Sequence, residues 1–537
     1  MVSEIPKPQE SESHASDAAE AQSIARESIR LYEEWLKILC GTSDKQIPPK
    51  DPRFADPVWR DNPAYNRLAQ SYLTFCDAVD SIVGENPDWR ARERTRFLTG
   101  ILTSAMAPTN TLWGNPTALR EAFETGGMSL VRGMLNMLSD MVSNKGVPMP
   151  SQVNPNAFQV GGNLAITPGA VVHRNDMVEL LQYRPTTAEV HEYPTLMIVP
   201  PVGKYYFMDL APKRSFVEYA VSHGVPFFAV SWRNPGPEQG DWALDDYVKS
   251  CLECVEAVCA VTGSKKVNIL GLCAGGIIST LMLSRMAATG DDRVNAAAFG
   301  VMLLDFDAEG PIAAFHSKPL LSLARWRSGS KGILPAGNLA NVFAWMRPND
   351  LVWNYWCNNY LLGKDPPSFD ILAWSVDGTN LPGALHAQFL DIFEHNVLVK
   401  PSDLKILGTN IDFKRIQIDT FVTAALTDHI TPWKACYRTT QLLGGNTTFI
   451  LSNAGHIASL VNPPGNPKAT YYTGGTPGPD PEEWLRGATK HVGTWWELWA
   501  DWTQKRSGGQ VAAPRALGTD RYPPLYAAPG EYVKVRA

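Results

Sequence analysis

A mostly parallel β-sheet covered by helices on both faces, preceded by a helical domain and interrupted by an inserted cap, is the α/β architecture this sequence predicts. Three observations predict it. Short unbroken apolar runs alternate with helical stretches from about residue 195 to 455. A helical texture without such runs precedes them. A long aromatic interval, 306–405, separates the fourth apolar run from the fifth.

The length of 537 residues exceeds one ordinary compact domain and fits a large catalytic domain with a second one added. A formal charge of −6, without a dense Lys/Arg block, gives no basis for nucleic-acid binding. The first residues, "MVSEIPKPQESESHASDAAEAQ", are polar and acidic, so no signal peptide is expected. No run of about eighteen apolar residues suggests a membrane span, and a cytoplasmic protein is expected. Eight cysteines in so long a chain do not make a disulfide framework. Cys251, Cys254 and Cys259 fall in one helical pattern without further ligands nearby, so they read as small buried residues and no metal is expected.

Residues 1–20 are expected to be disordered, 21–160 to form a helical N-terminal domain, and 161–537 to form the catalytic domain with its cap at about 306–405. Within the helical domain, "NPTALREAFETGGMSLVRGMLNMLSDM" repeats apolar residues at three- and four-residue spacing. "NLAITPGAVVHRNDMVELLQYRP" then alternates and turns as a β-ribbon does. The apolar runs that follow are "TLMIVPPV" (195–202), "VPFFAVSW" (225–232), "KVNILGLC" (266–273), "AFGVMLLD" (298–305), "QIDTFVTAAL" (417–426) and "TTFILSNAG" (447–455). "HVGTWWELWADWTQKRSG" reads as a last helix before a Pro/Gly-rich tail.

The third run ends in "GLCAGG". A strand stopping at Gly-x-Cys-x-Gly, with a helical pattern resuming at once, has the layout of the nucleophile elbow of an α/β-hydrolase fold, with Cys273 where a hydrolase has serine. Gly271, Gly275 and Gly276 permit the close backbone approach that the sharp turn needs. Cys273 then lies at a helix N-terminus, where backbone N–H groups favour a thiolate and the Ala274 N–H can face an oxyanion. In such a fold the acid and the histidine follow in that order, each past a strand. "FVTAALTDHITPW" supplies Asp428 and "FILSNAGHIASL" supplies His456. Asp305 and Asp307 compete for the acid's place, but Asp428 immediately precedes the strand that delivers His456. His429 reads as a loop histidine bonded to backbone, and His173, His191, His223 and His491 lack a motif context. The second oxyanion donor is expected from the turn after the first run, "IVPPVGKYYFMDL", at the N–H of Val202 or Gly203.

Sulfur at the elbow carries a chemical implication. A thiolate exchanges with a thioester in a nearly balanced step, and the acyl-cysteine remains activated. A serine would form a more stable oxygen ester. The pattern therefore favours transfer of an acyl group from a thioester donor over plain ester hydrolysis, with His456 taking and returning the proton and an aromatic cap excluding water.

Several stretches together resemble the poly(3-hydroxyalkanoate) synthases. They are "GLCAGG", "DHITPW", "GHIASLVNPPGNPKATYYT", "PPVGKYYFMDL", "VSWRNPGPEQGDW", "NYLLGKDPPSFDILAW" and "APTNTLWGNPTALREAFETGG". The resemblance runs from about residue 55 to 505 and suits the long, single-subunit type. Val202-Gly203 departs from it, the family carrying bulkier residues before the lysine. The resemblance implies polymerisation of (R)-3-hydroxyacyl-CoA, with the growing polyester held as a thioester on Cys273 and activated by His456. Asp428 either orients His456 or deprotonates the incoming 3-hydroxyl. It also implies a homodimer working at the surface of cytoplasmic polyester granules, and no cofactor beyond the CoA of the substrate. Two rival readings are a cysteine-dependent thioesterase or hydrolase of the same fold, releasing free acid, and a catalytically silent granule scaffold, against which the intact Cys273, Asp428 and His456 argue.

Overall fold

The computed structural model describes residues 10–401 and 403–537, with backbone alone for 10–21. The chain forms two compact units, Met1–Gln152 with Phe343–Pro367, and Val153–Val342 with Ser368–Ala537.

The first unit is helical. Its helices include Glu10–Cys40, Pro63–Gly84, Trp89–Ala105, Pro116–Glu124 and Met128–Ser143. Asn62 and Asn115 start two of them in the same way: each side chain accepts first-turn N–H bonds, and a proline stands at the next position. Phe54, Trp59, Ala69, Tyr72 and Leu73 form a small core. Of the stretch expected to be disordered, residues 1–9 lie outside the described residues, and the backbone of 10–20 is helical. Glu and Ala without Pro or Gly favour that outcome.

The expected cap divides. Phe343–Pro367 belongs to the helical unit, and only the flanking parts of 306–405 stay with the sheet. Its aromatic and amide side chains explain the assignment. The Trp356 indole donates to Asn110 O at 3.1 Å, and the Tyr360 hydroxyl donates to Asp140 at 2.9 Å. Gly133 lets the helix Met128–Ser143 approach so closely that a Cβ there would sit 1.9 Å from Tyr360 O.

The second unit is built on one sheet of eleven strands among the described residues. In chain order they are β1 (Gly169–Arg174), β2 (Val178–Tyr183), β3 (Thr195–Ile198), β4 (Phe227–Trp232), β5 (Val267–Leu272), β6 (Val294–Gly300), β7 (Asp419–Ala425), β8 (Thr447–Ser452), β9 (Thr470–Thr473), β10 (Thr489–Val492) and β11 (Tyr526–Ala527). The spatial order is β10-β9-β8-β7-β6-β5-β3-β4-β2-β1-β11. The strands from β8 to β4 are mutually parallel, and the pairs at both ends are antiparallel. β3 to β5 are buried along their whole length, as strands covered on both faces must be.

Two sequence expectations shift. The run 298–305 is strand only to Gly300; the chain turns at Val301, whose φ is +45°, and the apolar residues through Leu304 are buried in the turn instead. The tail after the helix Trp495–Gln504 is part of the sheet system: β11 pairs with β1, and Gln510–Ala512 pairs with Glu189–His191. Buried Glu179 on β2 holds it further, accepting the N–H groups of Glu531 and Tyr532.

Candidate active site

Cys273 sits between β5 and the helix Ala274–Thr289, with φ +48° and ψ −125°. A non-glycine residue in that region is strained by roughly 1–3 kcal/mol and persists only where its surroundings dictate it. The Cys273 N–H donates to Gly300 O on β6 (2.9 Å), and its carbonyl accepts from the Gly276 N–H (2.9 Å). The glycines are dictated by space. A Cβ on Gly275 would lie 2.4 Å from Ile198 O, and one on Gly271 would lie 2.8 Å from the Gly276 Cα. The result is a half-buried thiol at the start of a helix, at the carboxyl end of a central parallel strand.

β7 and β8, next to one another in the sheet, deliver the other two residues. Asp428 lies three residues beyond β7 and His456 four beyond β8, at the first position of the short helix His456–Leu460. His456 Nδ1–H donates to Asp428 Oδ2 at 2.7 Å. With Nδ1 so committed, Nε2 is the ring nitrogen left to exchange a proton with Cys273, whose charge acts on the imidazole. Burial opposes the charged imidazole, but the charges of Asp428 and Cys273 outweigh it and push His456 up to about 10. Burial would raise the Asp428 carboxyl as well; His456 and the N–H and hydroxyl bonds from Thr431 overcome that and hold it below the usual carboxylate range. The structure thus brings Cys273, His456 and Asp428 into one chain of contacts able to move a proton between sulfur and imidazole.

The competing acids stand elsewhere. Asp305 is paired with Arg438 at 2.8 Å and accepts from Asn396 at 2.8 Å. Of the two expected oxyanion groups, Ala274 is the first residue of the elbow helix, where an N–H has no helical carbonyl behind it. Val202 lies in the turn after β3, half-buried, and no hydrogen bond of its N–H is found among the described residues. The alternative, Gly203, is corrected: its N–H is taken by the Thr379 hydroxyl at 2.8 Å.

Three participants escaped sequence reasoning. The Thr431 hydroxyl lies 2.8 Å from Asp428 Oδ2 and 3.1 Å from His456 Nδ1; its place three residues past the acid was the available signal. Trp495 and Trp496 donate their indole N–H groups to Ser459 O (2.7 Å) and Leu460 O (2.8 Å), satisfying the carboxyl end of the histidine's helix. A cavity of about 910 Å³, bounded by Arg174, Arg233, Asn380, Tyr532 and Arg536 among others, does not include Cys273 or His456.

A nucleophile-elbow cysteine on a doubly covered parallel sheet, followed by an acid and a histidine at successive strand ends, defines a protein of the α/β-hydrolase class. Comparison with known proteins agrees. The family model of the α/β-hydrolase fold matches residues 207–463, and that of the poly-beta-hydroxybutyrate polymerase (PhaC) N-terminus matches 50–220. Poly(3-hydroxyalkanoate) polymerase 1 of Ectopseudomonas oleovorans is 45% identical over 94% of this chain and 90% of its own. Polymerase 2 of the same organism is 44% identical over 93% and 89%. The poly(3-hydroxyalkanoate) polymerase subunit PhaC of Cupriavidus necator is 37% identical over 94% and 86%. The chain belongs to the poly(3-hydroxyalkanoate) polymerase family.

Proposed function

We propose that this acyl-transferring enzyme polymerises (R)-3-hydroxyacyl-CoA through an acyl-Cys273 intermediate. The observation that carries the reading is the sulfur nucleophile at an elbow whose histidine is held by a buried carboxylate, in a chain of this family.

His456 takes the Cys273 proton through Nε2, and the thiolate attacks the thioester carbonyl. The oxyanion that forms is met by the N–H groups of Ala274 and Val202. The bond to the CoA sulfur breaks, and His456 returns its proton to the departing thiolate. An incoming 3-hydroxyacyl-CoA then presents its hydroxyl. His456 removes that proton, the oxygen–carbon bond forms, and the bond to Cys273 breaks. The freed thiolate attacks the lengthened chain's own thioester, and CoA leaves with the proton His456 holds. Every step uses this chain's own groups and the substrate, so the scheme calls for no metal or further cofactor.

Asp428 acts here as the residue that orients His456. Its Oδ1 accepts the N–H groups of Ile430 and Thr431, its Oδ2 is shared by His456 and Thr431, and its side chain is 0% exposed, which leaves a substrate hydroxyl no approach.

The polyester granule is the proposed place of work, with a homodimer as the working form. Met128, Val131, Leu135, Leu138 and Val142 follow one face of the helix Met128–Ser143 and are exposed, which suits an apolar polyester surface. Among the described residues no helix is long and apolar enough to cross a membrane.

The test is CoA release from (R)-3-hydroxybutyryl-CoA and from medium-chain donors by the wild type and by Cys273→Ala, with the acyl product sized. Polymer formation that is lost in the variant supports the reading. Release of free 3-hydroxyacid alone makes the enzyme a thioesterase, and release that survives in Cys273→Ala removes the cysteine from the mechanism.

A further inference from the structure

The turn after β3 is tied to residues 374–380, which lie in the part of the insertion that stays with the sheet. Trp374 Nε1–H donates to Lys204 O at 2.7 Å, and its ring covers Gly203 so closely that a Cβ there would lie 2.9 Å from it. Asp377 takes the Lys204 ammonium at 2.7 Å and the Tyr206 hydroxyl at 3.0 Å. Thr379 makes two bonds with one hydroxyl. It accepts the Gly203 N–H at 2.8 Å and donates to Pro201 O at 2.6 Å.

The second of these bonds bears on the chemistry. Pro201 O and the Val202 N–H belong to the same peptide unit, which is planar and trans, so fixing the carbonyl fixes the N–H in the opposite direction. A donor on the carbonyl also polarises the unit and strengthens its N–H. The first bond pins the next peptide, so the Val202 N–H is held from both sides. Beneath this turn, the elbow helix packs on the end of β3, where a Cβ on Gly275 would lie 2.6 Å from Val199 O.

We propose that Thr379 is a positioning residue for acyl transfer: by clamping the Pro201 carbonyl and the Gly203 N–H, it aims the Val202 N–H at the oxyanion formed on Cys273. The oxyanion hole is thereby completed from the insertion. This rests on the reading of Cys273 as nucleophile.

The experiment compares CoA release with iodoacetamide labelling of Cys273 in the wild type, Thr379→Val, Thr379→Ser and Cys273→Ala. Alkylation needs the sulfur and His456 but forms no oxyanion. Thr379→Val is expected to lower kcat about 10²-fold, the usual loss for one oxyanion donor. KM stays within about threefold, since ground-state binding is untouched. Labelling is expected to hold its wild-type rate, and Thr379→Ser, which keeps the hydroxyl, to recover most of kcat. Full activity in Thr379→Val, no rescue by serine, or labelling that falls together with release would overturn the proposal. Should Thr379→Val fail to fold, Asp377→Asn loosens the same turn through Lys204 and Tyr206 and is expected to show the same split, with unchanged kcat counting against it. CoA release by Cys273→Ala at the wild-type rate would instead defeat the underlying reading of the nucleophile.

Discussion

His456 Nδ1 lies 2.7 Å from Asp428 Oδ2, and the Asp428 side chain is 0% exposed. An acid so enclosed sets the tautomer and direction of its histidine. Replacing it with an amide, in Asp428→Asn, presents an N–H₂ group that favours the wrong tautomer and turns the proton-accepting nitrogen away from Cys273. CoA release is expected to fall by about 10³–10⁴, the scale known for the same exchange in serine triads. Because the damage is to the histidine, iodoacetamide labelling of Cys273 should slow as well. Labelling at the wild-type rate beside lost polymerisation would assign Asp428 to the incoming hydroxyl instead.

The charge on His456 makes stability depend on pH. Its folded value, about 10, lies above the ordinary histidine value of 6.5, so the folded chain keeps a proton that the unfolded chain has lost. That stabilisation is complete below about 6.5 and disappears as pH rises through about 10. Asp428, held below its ordinary range, contributes above that range and loses its contribution as pH falls through its lowered value. The urea midpoint of the wild type should therefore decline between pH 7 and 10 more steeply than that of His456→Gln. Parallel curves would mean that the imidazole is neutral in the resting site.

The elbow was legible because its pattern is local. Gly271, Cys273, Gly275 and Gly276 stand within six residues of sequence, so the pattern shows even though the backbone that demands Gly275, at Ile198 and Val199, is far away in the chain. Asp428 and His456 were readable because each follows an apolar run closely, and parallel strands bring their carboxyl ends together. Thr379 was not, since a hydroxyl in the insertion gains its role only when the fold lays it across Pro201 and Gly203. The division of 306–405 was hidden for a related reason: apolar periodicity reports that Trp356 and Tyr360 are covered, without naming the helix that covers them. The overlong strand at 298–305 shows the same limit, because Met302, Leu303 and Leu304 are buried without belonging to a strand.

The tryptophan pair beyond the site should support catalysis at a distance. Trp495 and Trp496 satisfy the carbonyls of Ser459 and Leu460 at the end of the helix that begins with His456. Trp496→Phe keeps most of the ring volume but leaves the Leu460 carbonyl buried and unpaired. A loss of about 1–3 kcal/mol is expected by urea unfolding, the cost of an orphaned buried group. The short helix should also loosen, so kcat for CoA release should fall while KM holds. An unchanged unfolding midpoint would show that water or a neighbouring group takes over the carbonyl.

Gly275 offers a sharper separation of space from flexibility. A methyl group there would lie 2.4 Å from Ile198 O and 2.5 Å from Val199 C, both backbone atoms at the end of β3. β3 is hydrogen-bonded to β4 on one side and β5 on the other, so it cannot retreat without breaking the centre of the sheet. In Gly275→Ala the elbow must shift instead, carrying Cys273 and the Ala274 N–H with it. Displacements near 1 Å cost about 10²-fold in rate, and a loss at least that large is expected. Gly329→Ala is the matched control, an exposed position in the helix Lys318–Lys331 with nothing within 4 Å of the added methyl. There the only consequence is a less flexible unfolded chain, so activity should be unchanged and stability should rise by about 0.4–1 kcal/mol. Near-wild-type CoA release by Gly275→Ala would mean that the elbow tolerates displacement, and that the strained conformation of Cys273 is not what sets its reactivity.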